Sequence, residues 1–273
     1  MSKKNKKPST LLDICILTAG CVDLFERCVD AVLTQYKVVS SRIYVLINCP
    51  PDDTVSKYKE ICAKLPQTAK VTYLSGEMLG FPAAANKLMK QGMSPLILLV
   101  TDDVTLHPNC INTLIKRMDD PTIGLCGLKL LFPDNSTEPG RPAGKVQHVG
   151  HVMNIRGEID HIFVGWDALH PKTCISRDCF SVTGAAFIVR RPLFTRAHGF
   201  AEIYGVGTFE DVDLCVTIRN LGSRIFMDAN ATAYHYVGAT VKLLKRGYPL
   251  MENQMIFRQR HIQDCKWDSY LWW

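Results

Sequence analysis

Short apolar runs alternate with segments of helical periodicity through the first hundred residues of the chain. Four apolar runs predict strands: 12–17, 42–47, 70–74 and 96–100. Three intervening segments carry apolar residues near helical spacing and predict helices: 23–33, 55–65 and 81–91. Such alternation is typical of βαβ units, so we expect an α/β fold with a mostly parallel central sheet covered by helices on both faces.

The pattern changes after residue 105. It predicts a strand over 124–132, a Pro- and Gly-rich loop over 133–144, and a hairpin over 146–162 that turns at Arg156-Gly157. The remaining predictions are a strand over 181–190, a helix over 192–198, a helix over 212–221 and a strand over 224–227. No repeat or clear linker divides the chain. We therefore expect a single domain whose sheet is extended by a second half of mixed strand direction.

Polar residues follow several of the predicted strands. Thr18 ends the first strand, Asn48 and Asp52 follow the second, and Asp102 and Asp103 follow the fourth. In open α/β sheets, ligands bind at the carboxyl ends of the strands. Paired carboxylates there suit a hard divalent cation, although a polar loop before Pro108 would have the same composition.

A second acidic group lies at Glu210, Asp211 and Asp213, between apolar residues. Crowded carboxylates repel one another and are tolerated when solvated, when bound to a cation, or when placed beside a substrate. The alternative is a helix N-terminus, where acidic residues complement the helix dipole.

Composition narrows the class of protein. The chain has 273 residues, 47% of them hydrophobic, a formal net charge of +6 and 11 cysteines. It can bury a large core, and no apolar run has the roughly 18 residues of a membrane span. With no secretory signal, we expect reduced thiols and a cytoplasmic protein, in the host cytoplasm if the protein is viral. Residues 1–10 are expected to form a disordered basic tail.

Histidines provide further metal-ligand candidates. His235 lies in an aromatic segment, and a lone histidine there is more often a hydrogen-bonded core residue. A run of zinc-type ligands occurs earlier in the chain: His148, His151, His161, His170, Cys174 and Cys179. Its spacing matches no standard zinc pattern, so the sequence does not favour zinc.

The motifs in chain order resemble family 2 glycosyltransferases of the GT-A fold, particularly the rhamnosyltransferase-like and galactofuranosyltransferase-like branch. Residues 80–86 resemble a glycine-phenylalanine block that ends in asparagine, and 99–103 resemble the D-x-D metal region. Residues 183–191 resemble a Thr-Gly-Ala block that ends in two arginines. Residues 209–213, His235 with Gly238, and the stretch from Glu252-Asn253 to Lys266-Trp267 complete the series.

The resemblance implies a Rossmann-like sheet and an enzyme that transfers sugar with inversion from a nucleotide-diphosphate sugar, aided by Mn²⁺ or Mg²⁺. It implies that Asp211 is the general base and that Glu210 binds a hydroxyl group. It implies that Asp103 and His235 hold the metal. The implied nucleotide-sugar contacts are Thr18, Asn48, Asp52, Asn86, Asp102 and Gly184. The implied acceptor-side residues are Trp166, Asp213 and Arg190; Arg190 is as well explained by a solvated strand end, and Trp166 by core packing.

The resemblance also implies a division of the chain. Residues 11–240 would form one glycosyltransferase domain, with a nucleotide-sugar half at 11–105 and an acceptor half at 106–240, followed by a helical extension at 241–273. Two departures from the motifs stand out. Thr101 occupies the position of the first Asp in D-x-D, and Ala201 replaces the Asp of a Gly-Gly-Phe-Asp-Glu block.

The acceptor stays open between three hypotheses. The first is a bacterial-type surface glycan or its lipid-linked precursor. The second is hydroxymethylated pyrimidine in viral DNA, reached by base flipping, with basic residues on phosphate and tryptophans as stacking faces. The basic residues are Lys242, Lys245, Arg246, Arg258 and Arg260, and the tryptophans are Trp166, Trp267, Trp272 and Trp273. The third is a catalytically inactive binding module. The apolar end of the chain makes a homo-oligomer possible.

Overall fold

The computed structural model describes residues 11–137, 139–237, 247–261, 263 and 268. Within them a large mixed sheet runs through the molecule, with strand order β10-β12-β6-β11-β4-β1-β2-β3 and with β5 and β7 paired to β12 and β6. The strands are β1 (Leu12–Thr18), β2 (Ser41–Asn48), β3 (Lys70–Leu74), β4 (Leu96–Thr101), β5 (Val104–Leu106), β6 (Ile123–Leu131), β7 (Val146–His148), β8 (His151–Met153), β9 (Ile159–His161), β10 (Arg177–Asp178), β11 (Ala186–Arg190) and β12 (Arg224–His235).

The first half of the sheet is parallel: β1 pairs with β2 and β4, and β2 pairs with β3. The connections are α1 (Val22–Leu33), α2 (Val55–Cys62) and α3 (Phe81–Met89). The second half is mixed, because β11 runs antiparallel between β4 and β6 while β12 is parallel to β6. The expected α/β fold with a parallel half and a mixed half is confirmed.

The remaining helices are α4 (Cys110–Arg117), α5 (Arg191–Arg196), α6 (Glu210–Asn220) and α7 (Leu250–His261). Alternate residues of the central strands point to opposite faces of the sheet. On one face Ile14 and Ile16 join a core that includes Phe25 of α1. On the other face Cys15 and Leu17 join a core with Ala84 of α3 and Leu214 of α6. Both faces of the sheet are therefore buried.

Helix α7 covers a third, smaller core. Phe257 of this helix packs with Tyr204 and with Val212 and Val216 of α6. The helix lies in the region expected to be a C-terminal extension. Several expectations lie outside the described residues: the basic tail at 1–10, Gly238, the basic residues Lys242 to Arg246, and the C-terminal tryptophans. Among the described residues, none of the helices combines the length and apolar character needed to span a bilayer.

Several predicted boundaries differ from the structure. The strand predicted over 181–190 begins at Ala186, and the preceding residues instead turn toward α6. The strand predicted over 224–227 continues to His235, across a register shift between Asp228 and Thr232. The hairpin predicted over 146–162 is shorter, with β8 paired to β9, while β7 pairs separately with β6. Helix α4 and strands β5 and β10 were not predicted.

Candidate active site

A cleft lies where the parallel strands end, as expected for an open α/β sheet. Three parts of the chain supply its polar and acidic centre. These are the end of β4 with Asp102 and Asp103, the turn before β11 with Thr183 and Gly184, and the segment that leads into α6 with Glu210 and Asp211. Asn48, His235 and Tyr248 also line it. Both acidic groups singled out in the sequence therefore face one cleft.

Asp102 is held at the inner end of the cleft. Thr18 Oγ1 donates to its Oδ2 at 2.6 Å, and the Ala19 backbone N–H donates to the same oxygen at 3.2 Å. Burial, together with the neighbouring charge of Asp103, raises the pKa of Asp102 to about 7. Thr18 does not line the cleft; it acts by fixing Asp102 and contacts the Tyr58 hydroxyl at 3.2 Å.

Asp103 and His235 form the metal-type corner of the cleft. His235 Nε2 lies 3.4 Å from Asp103 Oδ2, and Thr101 Oγ1 donates to Asp103 Oδ1 at 2.5 Å. Burial favours the neutral form of Asp103, but the charge of His235 and the hydrogen bonds from His235 and Thr101 hold its pKa below the usual value. Thr101 therefore supports the carboxylate, although it stands where the motif has an Asp.

Gln147 sets the orientation of His235. The Gln147 amide oxygen lies 2.9 Å from His235 Nδ1. Because an amide oxygen only accepts, Nδ1 carries a proton; Nε2 then donates to Asp103 when the imidazole is protonated and offers its lone pair to a cation when it is neutral. A carboxylate oxygen and an imidazole nitrogen aimed at one point fit a divalent cation such as Mn²⁺. Sequence reasoning missed Gln147, whose neighbour His148 drew attention instead.

Asp211 is fixed by two backbone donors in the first turn of α6. The Gly184 N–H donates to Oδ2 and the Val212 N–H donates to Oδ1, both at 2.8 Å. Burial in the cleft raises the pKa of Asp211 above its usual value. The packing at Gly184 is close, since a Cβ there would lie 3.3 Å from the Phe81 ring and 3.4 Å from Asp211 Cβ, so a larger residue would need a small shift of the Phe81 ring. Through its backbone N–H, Gly184 holds Asp211 in place.

Glu210 lies beside Asp211 with one carboxylate oxygen unused. Its Oε2 is buried and has no hydrogen-bond partner among the described residues. Burial, followed by repulsion from Asp211, raises the pKa of Glu210 well above its usual value. An unpartnered buried oxygen is costly unless a ligand completes it, so this carboxyl group is well placed to meet a hydroxyl.

The segment that leads into α6 has an unusual backbone. Gly205, Gly207, Thr208 and Phe209 all have positive φ, with values of 61°, 133°, 80° and 69°. The Asn253 side chain of α7 holds this segment. Its Nδ2 lies 2.7 Å from the Gly207 carbonyl, and within 3.1 Å of the carbonyls of Tyr204 and Thr208. The C-terminal helix thus determines the shape of the cleft wall beside Glu210.

Asn48 joins the end of β2 to the loop before α3. Its Nδ2 donates to the Leu79 carbonyl at 2.8 Å, and the Leu79 N–H donates to its Oδ1 at 3.1 Å. The next residue, Gly80, packs backbone to backbone against Gly205, since a Cβ there would lie 1.9 Å from the Gly205 carbonyl oxygen. Asn48 therefore lines the cleft and fixes one of its walls.

Two other expected nucleotide-sugar contacts lie away from the cleft lining. Asp52 is exposed in a short 3₁₀ helix after β2. Asn86 is buried in α3, where it bonds both backbone groups of Phe200 and donates to Glu202 Oε1 at 2.9 Å. Asn86 thus braces the loop after α5, a role that a buried amide fulfils without ligand.

The three expected acceptor-side residues also have structural partners. Asp213 is buried and ion-paired with Arg260 at 2.6 Å and His261 at 2.8 Å, which ties α6 to α7. Arg190 donates to backbone carbonyls of residues 118, 120 and 123. Trp166 packs against Phe163 and His170. None of the three is among the residues that line the cleft.

Three of the six zinc-type ligands identified in the sequence lie close together in the structure. His148, His151 and His161 present ring nitrogens within 4.8 Å of one another. His170, Cys174 and Cys179 do not join this group. Tyr248 lines the cleft and Asn253 holds one of its walls, and the sequence singled out neither as a site residue. Only the resemblance of the segment around Asn253 to a family motif could have indicated it.

Comparison with solved structures identifies the fold. A crystal structure titled GalNAc-T7 with UDP, GalNAc and Mn²⁺ matches with a TM-score of 0.67 and 12% identity, over 83% of this chain and 43% of that one. The mannosyltransferase PcManGT from Pyrobaculum calidifontis, in complex with GDP-Man and Mn²⁺, matches with a TM-score of 0.61 and 16% identity. That match covers 98% of this chain and 68% of that one. The fold is the GT-A fold of glycosyltransferases.

Sequence comparison gives the family. The profile of glycosyl transferase family 2 matches residues 13–172, and the chain belongs to that family. The O-antigen biosynthesis protein RfbC of Myxococcus xanthus is 28% identical over 228 residues, which are 80% of this chain and 16% of that protein. The uncharacterised protein y4gI of Sinorhizobium fredii is 26% identical over 165 residues. That alignment covers 59% of this chain and 17% of y4gI, so the chain spans about a sixth of either relative.

Proposed function

We propose that this chain is an inverting, metal-dependent glycosyltransferase that moves a sugar from a nucleotide-diphosphate sugar to an acceptor hydroxyl, with Asp211 as general base. The observation that carries the proposal is that Asp211, fixed by the Gly184 N–H, shares one cleft with the Asp103–His235 corner. Family membership supports it, as do the Mn²⁺ and nucleotides present in the structures of the two structural relatives.

The donor end of the cleft is assigned to the ends of β2 and β4. Asn48 fixes the loop at Leu79 and Gly80, and Asp102 lies behind the Asp103–His235 corner. Asp103 and His235 would hold Mn²⁺ or Mg²⁺. Such an ion, when bound, neutralises the charge that gathers on a leaving diphosphate. Family resemblance alone supports a nucleotide contact for Asp52, since the structure leaves that residue exposed on the surface.

The base is assigned to Asp211. In a single displacement, Asp211 takes the proton of the acceptor hydroxyl as the oxygen forms its bond to the anomeric carbon. The bond from that carbon to the diphosphate oxygen breaks, and the diphosphate leaves with the electron pair. Hydrogen bonds from two backbone N–H groups, one to each oxygen, keep the Asp211 carboxylate in place. Glu210 would bind a hydroxyl of the acceptor or sugar through its unpartnered Oε2.

The acceptor favoured here is a bacterial-type surface glycan or its lipid-linked precursor. The support is the relative named as an O-antigen biosynthesis protein. The alternative acceptor, hydroxymethylated pyrimidine in DNA, has less support, because two of the basic residues expected to contact phosphate have protein partners. Arg260 is engaged with Asp213, and Arg258 donates to the Arg156 carbonyl at 2.7 Å. The inactive-module hypothesis is disfavoured because the base and metal-type residues are all present. Cytoplasmic location and a homo-oligomeric state stay predictions.

The test combines donor and acceptor panels. The protein is incubated with Mn²⁺ and a set of nucleotide sugars, first with water alone and then with lipid-linked glycans or duplex DNA that contains hydroxymethylated pyrimidines. Mass spectrometry then measures sugar-sized gains in each acceptor. Asp211→Asn and Asp103→Asn serve as matched variants that remove base and metal ligand separately.

The outcomes separate the hypotheses. A gain in the lipid-linked glycan that both variants lose supports the proposal, whereas a gain in DNA nucleosides transfers it to the DNA alternative. The configuration of the product's anomeric carbon, read by NMR, must be opposite to that of the donor if transfer is inverting. Nucleotide binding without hydrolysis or transfer across all donors and acceptors would indicate the inactive module.

A further inference from the structure

We propose that His148, His151 and His161 form a second metal site, suited to a transition-metal ion such as Zn²⁺ and separate from the Asp103–His235 corner. These three side chains play no part in the proposed transfer reaction. They come from β7, β8 and β9, so the hairpin and its neighbouring strand bring together histidines that are not grouped by spacing. The proposal does not depend on the proposed function.

The first argument is the separation of the ring nitrogens. Nδ1 of His148 lies 2.9 Å from Nδ1 of His161, and Nε2 of His151 lies 3.2 Å from Nε2 of His161. A zinc ion with Zn–N bonds of about 2.0–2.1 Å in tetrahedral geometry separates its nitrogen ligands by about 3.3 Å. Both short pairs are close to that value, but they use different nitrogens of His161, and one ion can bind only one of the two. One ligand atom from each of the three rings lies within 4.8 Å of the others, so the ion requires the third ring to move toward the nitrogen of His161 that it binds.

The second argument is the support behind one ligand. His151 Nδ1 lies 2.9 Å from Ser181 Oγ, so its proton can be held there while Nε2 faces the other two rings. A metal-binding histidine typically donates its second ring N–H to such a partner, which fixes the ring and its tautomer. Ser181 is buried and belongs to the segment that leads to Gly184.

The third argument is the chemistry of the surroundings. His148 and His151 are buried, which favours the neutral imidazole form that binds metal. His161 is an exposed residue, so solvent and ions can reach the group from its side. Three neutral imidazoles suit zinc, copper or nickel, whereas the carboxylate-containing corner suits Mn²⁺ or Mg²⁺. With three histidine ligands, a tetrahedral ion would have a fourth coordination position, which water could occupy from the exposed side of the group.

The competing arrangement is a metal-free chain of hydrogen bonds. The Thr183 N–H donates to His148 Nε2 at 3.3 Å, so His148 would carry its proton on Nδ1 and donate to His161. His161 would then donate from Nε2 to His151, and His151 from Nδ1 to Ser181. A bound ion replaces the two ring-to-ring hydrogen bonds and the Thr183 contact. Metal content, not geometry alone, decides between the two.

The experiment uses untagged full-length protein, stripped with a chelator and then dialysed against Zn²⁺ or Co²⁺. Elemental analysis gives the zinc bound per chain, and the visible spectrum of the Co²⁺ form reports tetrahedral coordination. The main variant is His161→Ala, at the exposed ligand. The matched control is His198→Asn, which changes an exposed histidine outside the group. Asp103→Asn removes a ligand of the other corner.

The expected result is one zinc ion per chain in the wild type, His198→Asn and Asp103→Asn, and its loss in His161→Ala. Ser181→Ala should weaken zinc affinity by about 10- to 100-fold. Wild-type protein that takes up no more zinc than His161→Ala overturns the proposal in favour of the hydrogen-bond chain. Zinc that disappears in Asp103→Asn assigns the ion to the catalytic corner and also overturns it.

A measurement without variants covers the case in which His161→Ala fails to fold. X-ray absorption at the zinc edge of loaded wild-type protein reports the number of imidazole ligands. Three imidazoles per zinc supports the site, since the catalytic corner offers only one histidine beside carboxylates. One imidazole with oxygen ligands contradicts it.

Discussion

Two pairs of adjacent carboxylates face the same cleft, and they behave differently. Asp102 and Asp103 follow β4, and their partners drive their pKa values apart. That of Asp102 rises to about 7 and that of Asp103 falls. Glu210 and Asp211 begin α6, and burial raises both pKa values. The difference lies in the partners: the His235 imidazole stands 3.4 Å from Asp103 in the first pair, whereas Asp211 of the second pair accepts from backbone N–H groups and has no cationic side chain bonded to it among the described residues.

The comparison teaches that neighbours, more than composition, assign a carboxylate its role. A carboxylate whose charge is stabilised at all working pH values suits a cation ligand. A carboxylate that is reluctant to ionise suits proton transfer. Four predictions test this division.

The largest effect is expected from Asp211→Asn. This change keeps the shape of the side chain but removes the proton acceptor, and general-base catalysis typically contributes about 10²- to 10⁴-fold. We expect kcat to fall within that range while Mn²⁺ and nucleotide affinities, measured by calorimetry, stay unchanged. Normal transfer by this variant would remove Asp211 from the mechanism.

The second-largest effect is expected from Gln147→Leu, which tests the metal-binding role of the Asp103–His235 corner. Without the amide oxygen that holds Nδ1–H, His235 loses its fixed orientation, and Mn²⁺ affinity should fall by about 10- to 100-fold. The matched Gln147→Glu variant keeps an acceptor and should retain most of the affinity. Equal affinity in all three proteins, measured by titration with Mn²⁺, would exclude His235 as an oriented ligand.

A pH series sharpens the comparison. Asp211 must be ionised to act as a base, and its pKa is raised, so kcat/KM should climb about tenfold per pH unit up to a midpoint above the usual aspartate value of about 3.9. For stability the sign is opposite. The folded state binds more protons than the unfolded chain, so the free energy of unfolding should fall as pH rises from the unfolded to the folded pKa of this pair.

The control for both parts of the pH series is Asp211→Asn. Its denaturant-derived stability should decline less over that pH window than the stability of the wild type. If kcat/KM of the wild type instead rises with a midpoint at the ordinary aspartate pKa, burial does not set the ionisation of Asp211.

The smallest effect is expected from Asn253→Ala. Loss of the amide leaves carbonyls of the segment before α6 without their donor, at a cost of about 1–3 kcal/mol in the free energy of unfolding. Because the segment leads into Glu210 and Asp211, kcat/KM should fall while Mn²⁺ affinity holds. Met255→Ala, at an exposed position of the same helix, serves as control. Equal losses in both variants would assign the effect to the helix in general.

The parallel half of the fold was readable from the sequence because its strands are buried on both faces. The first strand is apolar without interruption from Ile14 to Leu17, and the structure ends β1 one residue later. The second half was harder. Asp228, Asn230 and Thr232 interrupt β12, so a pattern-based reading stops it at Met227, whereas the structure carries the strand through a register shift to His235.

Site residues could be predicted where the type of side chain itself indicates a role, as for the carboxylates. They could not be predicted where the role depends on contacts with residues that are distant in the sequence. Asp103, Glu210 and Asp211 stood out as carboxylates at strand or helix ends, and they share the cleft. Arg190 matched a motif, but its partners are carbonyls from another part of the chain. Gln147 and Asn253 act through side-chain hydrogen bonds to residues that are distant in the sequence. The three grouped histidines come from different strands, which spacing cannot reveal.

The contact between Gly80 and Gly205 has a consequence for anyone who would retailor this protein. Gly80 has no space for even a methyl group, because a Cβ there would lie 1.9 Å from the Gly205 carbonyl oxygen, so the wall beside the predicted nucleotide site and the wall beside the predicted base are in direct backbone contact. Libraries that randomise residues 205–208 to alter sugar preference should therefore lose most members that shift this backbone. Diversity is better introduced at side chains on the rim, such as Met78 and Tyr248, which line the cleft without forming that contact.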